Sequence, residues 1–207
     1  RLMMGVIAGH PITVRMQGDA SLSRRPMGRI LKPLRLMGLE VLDGDKDTLP
    51  LTIRGSCELM PIVYDLPVAS AQLKSAILIA GLAASGETTV IGEQTRDHTE
   101  RMLAFLGADI RSERRGNKVA ITIKGDAELK GGDVTVPGDP SSAAFLVAAA
   151  LIVPGSDVTV EGILTNPTRR GFYDTLQEMG ADLALLNQRE EGGEPVADVR
   201  ARHSPRR

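Results

Sequence analysis

Ser70, Ala71 and Gln72 stand at the mouth of "PVASAQLKSAILIAGLAASG", Pro67 to Gly86, a segment whose remainder is almost wholly Ala, Leu, Ile and Gly. A helix that apolar belongs inside a protein, and the first N–H groups of a buried helix are unsatisfied and carry partial positive charge. The chemistry such an end offers is the binding of an anion. Ser70 also suits a plain N-cap, where serine is strongly preferred. Lys74 argues for more than a cap, because a cation near the first turn opposes the helix dipole unless an anion or acidic partner is close.

A similar concentration of positive charge recurs in the loops before three amphipathic segments. Arg24 and Arg25 precede Pro26, Arg96 precedes Asp97, and Arg169 and Arg170 follow Pro167. Guanidinium groups suit planar, bidentate contact with phosphate or carboxylate. If the loops are equivalent they gather on one rim, and several arginines converge with the serine-led helix ends. The alternative is that each arginine pairs at the surface with Asp19, Asp97, Glu100 or Glu161.

The loops are equivalent if the chain is a repeat. "TVIGEQTRDHTERMLAFLGADI" and "TVEGILTNPTRRGFYDTLQEMGADL" share a β-branched strand, a polar arginine loop, an amphipathic helix and a closing Gly-Ala-Asp; "ITVRMQGDASLSRRPMGRILKPLRLMGLEVL" is a more divergent copy. An apolar helix precedes each stretch, over 2–8, 71–84 and 141–152, with Gly9, Gly86 and Gly155 as C-cap candidates. A hairpin follows each, turning at "DGDKD", "RRGN" and "REEGG". In two copies a strand comes first, "IVYDLPV" and "DVTVPG", so the unit reads strand-helix-strand-helix-strand-strand. Met27, Ile30, Leu31 and Leu34 share one face of an outer helix while Arg29, Lys32 and Arg35 point away; Pro33 is expected to kink it. Asp97 and Glu100 have capping-box spacing, and Asn166 with Pro167 suits an N-cap and first-turn proline. The apolar helices are expected inside, wrapped by sheets and outer helices.

These patterns predict an α/β fold of repeated βαβαββ units, over about 1–56, 57–130 and 131–207, with approximate threefold symmetry in one domain. The first copy lacks its leading strand, and the chain starts inside a helix, as a piece of something longer would.

Composition narrows the partners. The 207 residues carry 25 basic and 26 acidic side chains, a net charge of -1, which disfavours a general electrostatic grip on nucleic acid or an acidic membrane. Aromatics at 2% disfavour base-stacking platforms. Cys57 is the sole cysteine, which suggests a reducing, cytoplasmic setting. The apolar run from Ala143 to Val153 is too short to span a bilayer. His10, His98 and His203 have no metal-ligand spacing, so no metal is expected. Asp139 and Pro140 in "PGDPSSAAF" suit a helix start, which makes Ser141 and Ser142 structural. Cys57 in "RGSCELMP" is not near a helix start that would activate it.

"GDASLSRRPMGRILKPLRLMG", "LPVASAQLKSAILIAGL", "TRDHTERML", "PGDPSSAAF" and "NPTRRGFYDTLQEMGAD" together closely resemble the 5-enolpyruvylshikimate-3-phosphate synthase family. The resemblance covers nearly the whole chain. It implies a two-domain parent of inside-out α/β barrels, each of three such units, that transfers the enolpyruvyl group of phosphoenolpyruvate to shikimate 3-phosphate without a cofactor. It assigns Ser70, Ala71, Gln72 and Arg96 to shikimate 3-phosphate, and Arg25 with Gln72 to phosphoenolpyruvate. It places the acid and base residues outside this chain, so the catalytic residues are unknown here and the chain alone is expected to be inactive. It further implies a monomeric parent. "SAQ" resembles the bacterial subgroup that includes glyphosate-tolerant forms. UDP-N-acetylglucosamine enolpyruvyl transferase shares the fold, but its reactive-cysteine loop is not matched by "RGSCELMP". The remaining alternative is a non-catalytic phosphate-binding fragment.

Overall fold

A computed structural model describes residues 1–204. These form two compact units, Arg1–Thr95 with Leu106–Lys130, and Arg96–Phe105 with the chain from Gly131 onward.

The first unit opens with helix α1 (Leu2–Ala8), strand β1 (Thr13–Met16), the short α2 (Ala20–Ser23) and α3 (Gly28–Met37), then β2 (Glu40–Val41) and β3 (Leu51–Arg54). The order β1-β3-β2 is antiparallel throughout, with Thr13 opposite Arg54 and Val41 opposite Ile53. Strand β4 (Val63–Asp65), helix α4 (Ala71–Gly81), β5 (Glu87–Gly92), β6 (Ile110–Arg115) and β7 (Lys118–Lys124) follow, and their sheet runs β4-β5-β7-β6 with β4 parallel to β5. Helix α3 buries Ile30, Leu31 and Leu34, with Met27 buried at its N-cap, along the face its periodicity predicts, and it continues through the buried Pro33. Helix α1 packs on α4 so closely that a Cβ on Gly5 would overlap the Ala76 carbonyl oxygen. Only glycine permits that approach.

The second unit holds α5 (His98–Phe105), α6 (Pro140–Ile152), β8 (Asp157–Leu164), α7 (Gly171–Glu178), β9 (Asp182–Glu191) and β10 (Glu194–Arg202), with the antiparallel order β8-β10-β9. Its core joins Ala143, Val147, Ala150 and Leu151 of α6 to Val199 and Ala201 of β10, with Tyr173 of α7 inserted between them. The Tyr173 hydroxyl donates to the Pro140 carbonyl at 2.8 Å, so the buried ring keeps its polar end satisfied. Burial, and then the nearby Asp139 charge, raises the Tyr173 pKa.

Several expectations change. "DVTVPG" forms no strand; its pairing shrinks to a single bridge between Gly138 and Ile163, because Pro137 brings no N–H to a ladder. Helix α7 starts at Gly171 with Arg170 at the N-cap, while Asn166 closes a turn by accepting from the Thr168 N–H at 2.8 Å. Gly9 does cap α1 but at φ -82°, outside the left-handed region, whereas Gly86 and Gly155, at φ 130° and 78°, lie beyond the ends of α4 and α6. Helix α4 is enclosed, but α1 and α6 are not: Met3 is 57% exposed and Phe145 80%. Their buried faces are one-sided because, within each unit, neighbours pack against only one side of them.

Candidate anion-binding site

Helix α4 starts where its sequence says it should. Ser70 is extended, at φ -140° and ψ 105°, and its hydroxyl oxygen accepts from the Leu73 N–H at 3.3 Å. A hydroxyl that accepts at a cap still has its proton to donate. Capping and anion binding are therefore compatible roles for Ser70.

Beside it lies a cavity of about 250 Å³ lined by Arg1, Arg25, Pro26, Arg29, Ile30, Ser70 and Gln72. Two local structures bring these groups together. Asp19 caps α2 by accepting from the Leu22 N–H at 2.6 Å, and α2 then delivers Arg25 and Pro26 into the loop ahead of α3. Arg29, the second residue of α3, lines the cavity from the helix start. Arg1 ties the walls together: it donates to the Gln72 Oε1 at 3.0 Å and to the Pro26 carbonyl at 3.1 Å. Its Nε is buried and has no hydrogen-bond partner among the described residues. No carboxylate lines the cavity, and Arg25 and Arg29 have no acidic partner among the described residues.

Three guanidinium groups, a hydroxyl and a helix N-terminus around one small cavity are chemically suited to a phosphate or carboxylate. Each charge-assisted hydrogen bond there is worth about 1.5–3 kcal/mol.

The residues singled out in the sequence do not all meet here. Ser70, Gln72 and Arg25 line the cavity, whereas Ala71, the first residue of α4, is not among the lining side chains. Arg96 belongs to the second unit, where it is exposed. Lys74 is 1% exposed and already engaged within the protein, so it is not a cation held ready for the cavity. Arg24 donates to the Ala20 carbonyl at 3.0 Å. Arg169 is bound by Asp139 and Ser141 at 2.8 and 2.9 Å, and Arg170 by Asp174 at 2.7 Å. The last two arginines are thus neutralised, by partners other than the acids expected.

In the second unit carboxylates occupy the positions that stay open in the first. Asp139 caps α6 by accepting from the Ser142 N–H at 3.0 Å, with Pro140 in the first turn. Its pKa is lowered by the Ser142 side-chain hydrogen bond, and further by the helix-start amides and Arg169. Asp97 is partly desolvated, which alone would raise its pKa, but the Asn166 hydrogen bond and the Arg101 charge outweigh that and lower it.

Sequence reasoning missed Arg1 and Arg29 as cavity residues. Arg29 reads in sequence as part of the polar face of α3, and for Arg1 no local signal existed, because its partners lie 25 and 71 residues away.

An α/β fold that brings several guanidinium groups and a serine-capped helix start to one cavity defines the class of arrangement that suits a small anion. The chain belongs to the EPSP synthase (3-phosphoshikimate 1-carboxyvinyltransferase) family, whose model matches residues 1–205. It is 61% identical to the 3-phosphoshikimate 1-carboxyvinyltransferase of Paracoccus denitrificans (strain Pd 1222) over 206 residues, covering 99% of this chain and 46% of that protein. The corresponding enzyme of Parvibaculum lavamentivorans is 58% identical over 207 residues, again with 99% and 46% covered. Among solved structures, the EPSP synthase of Acinetobacter baumannii superposes with a TM-score of 0.86 at 50% identity, over 98% of this chain and 45% of that one. The chain therefore spans less than half the length of the relatives it matches.

Proposed function

We propose that this chain is the substrate-holding part of a 3-phosphoshikimate 1-carboxyvinyltransferase. The observation that carries the reading is the cavity itself. It gathers Arg25, Ser70 and Gln72, all named for substrate contact by the family resemblance, around a space with no carboxylate in its walls. Ser70 and Gln72, with the α4 start at Ala71, take shikimate 3-phosphate; Arg25 and Gln72 take phosphoenolpyruvate. Arg96 is assigned a role in phosphate binding on the strength of "TRDHTE" alone.

In the whole protein the 5-hydroxyl of shikimate 3-phosphate gives up its proton as its oxygen bonds to C2 of phosphoenolpyruvate, and the methylene carbon gains a proton. The C2–O bond to phosphate then breaks, the methyl carbon gives up a proton, and phosphate leaves. These proton transfers need positioned acid and base groups, which this reading places outside the present residues. The reading includes no cofactor, no nucleic-acid or membrane partner, a monomeric parent and a cytoplasmic setting. Among the described residues no helix is long and apolar enough to cross a membrane.

Calorimetric titration of the chain with shikimate 3-phosphate, with shikimate as the control, tests the proposal. Saturable binding that requires the phosphate is expected. Equal binding of both ligands, or none of either, overturns the assignment for this chain.

A further inference from the structure

Asn166 is fully buried, and every hydrogen-bonding position of its amide is used. Its Nδ2 donates to the Asp97 Oδ1 at 2.7 Å and to the Glu194 Oε2 at 2.9 Å. Its Oδ1 accepts from the Thr168 N–H at 2.8 Å and the Thr168 hydroxyl at 2.6 Å. Two acceptors on one side and two donors on the other fix the amide's orientation without ambiguity. The other oxygens of the two carboxylates are also held: Asp97 Oδ2 by the Arg101 Nε at 2.8 Å, and Glu194 Oε1 by the His98 Nδ1 at 2.7 Å. Buried polar networks of this kind are costly unless complete, and when complete they fix one local geometry.

What this network fixes is the start of α5. Asp97 and His98 are its attachment points, and Arg96 is the residue immediately before them. We propose that Asn166 is a positioning residue: by clamping Asp97 against Glu194 it sets the backbone from which Arg96 projects, and so sets the direction in which that guanidinium meets a phosphate. The inference rests on the functional reading of Arg96 given above. Nothing in the alternative, that Asn166 is a helix cap, accounts for the contacts, since α7 begins five residues later.

The test combines a double-mutant cycle with hydrogen exchange on the full chain. Asn166→Ala is expected to weaken shikimate 3-phosphate binding about tenfold, since misplacing a binding group by a fraction of its contact distance has effects of that order or larger. In an Arg96→Ala background the same substitution is expected to change affinity less than about twofold, because the residue being positioned is gone. Amide exchange at residues 96–99 is expected to accelerate selectively. Tyr173→Phe, which removes a buried hydrogen bond elsewhere in the same unit, serves as the stability control: it should leave affinity unchanged and raise exchange evenly over the unit, with no selective effect at 96–99.

An affinity loss that persists without Arg96, or an exchange increase spread evenly over the unit as in the Tyr173→Phe control, makes Asn166 a packing residue only and overturns the inference. If the parent chain binds no shikimate 3-phosphate, the functional reading fails, and unaltered exchange at 96–99 in Asn166→Ala still overturns the positioning claim by itself. Should Asn166→Ala not fold, Asn166→Asp, which keeps the size and the Thr168 contacts but sets a third carboxylate against Asp97 and Glu194, is read in the same way.

Discussion

The starts of α4 and α6 are the same device with different caps. Both are apolar helices introduced by a short polar residue whose side chain accepts from an N–H three residues on, Ser70 from Leu73 and Asp139 from Ser142. The neutral cap leaves the positive helix end uncompensated, with Arg1, Arg25 and Arg29 around it. The acidic cap absorbs the helix end and recruits Arg169 as well. One atom-level choice, hydroxyl or carboxylate, separates the helix start proposed to receive an anion from a closed structural joint.

The largest effect should come from exchanging the caps. Ser70→Asp keeps N-capping, since serine and aspartate are about equally good there, but places a negative charge in the cavity. Shikimate 3-phosphate affinity is expected to fall more than about a hundredfold, equivalent to losing one or two charge-assisted bonds and adding repulsion. The thermal midpoint should hold or rise. Ser70→Ala, which removes the donor but adds no charge, should weaken binding about ten- to a hundredfold; an unchanged dissociation constant for either variant would remove Ser70 from the site.

Next is the packing that holds the receptor together. Gly5→Ala forces α1 away from α4, where Ala76 leaves no room for a Cβ. Overpacking of this kind costs about 1–3 kcal/mol. Because Arg1 and Gln72 sit on the two helices being separated, ligand affinity should fall along with the urea midpoint. A stability loss with intact affinity would show that Arg1 is not needed in the cavity wall.

How much of this contrast was legible in the sequence depends on the range of the interaction. The amphipathic face of α3, the hairpin turns at "RRGN" and "REEGG", and the caps at Ser70 and Asp139 all depend on residues within a few positions of one another, and all appear in the structure. Arg169 reads much like Arg25 in sequence, a guanidinium within two residues of a proline ahead of an outer helix. Only the fold shows that Asp139, 30 residues earlier, neutralises it. The Asn166 clamp spans 69 residues to Asp97 and was legible only as a helix cap, the local role its type most often plays. "DVTVPG" misled for the opposite reason: its β-branched alternation was real, but the proline closing it has no N–H to extend a ladder.

Acid should separate the two helix starts by a smaller margin. Asp139 and Asp97 have folded-state pKa values below the ordinary range. The native state then binds fewer protons than the unfolded chain, so their contribution is complete above the unfolded value of about 4 and is lost as pH falls through the lower folded values. Amides at the start of α6 should therefore open progressively below about pH 4, after correction for intrinsic exchange. Those at the start of α4, capped by a hydroxyl that does not titrate, should not follow. Parallel opening at both ends would show that acid acts on the chain globally and not through the cap.

The smallest effect distinguishes two arginines that look alike. Arg170 sits at the N-cap of α7, paired with Asp174 one turn on, both partly exposed. A cation at a helix N-terminus opposes the dipole while an acid in the first turn favours it, so the two halves of this pair are unequal. Asp174→Asn loses both the pair and the favourable end charge, at about 0.5 kcal/mol. Arg170→Gln loses the pair but relieves the dipole, for a net change near zero. Urea denaturation of the two variants should resolve that inequality, and neither should move shikimate 3-phosphate affinity by more than about twofold, given how little an exposed pair contributes. A larger loss of affinity in Arg170→Gln would mean that its guanidinium leaves Asp174 for the ligand, and the division between open and neutralised arginines would then have to be redrawn with Arg170 on the open side.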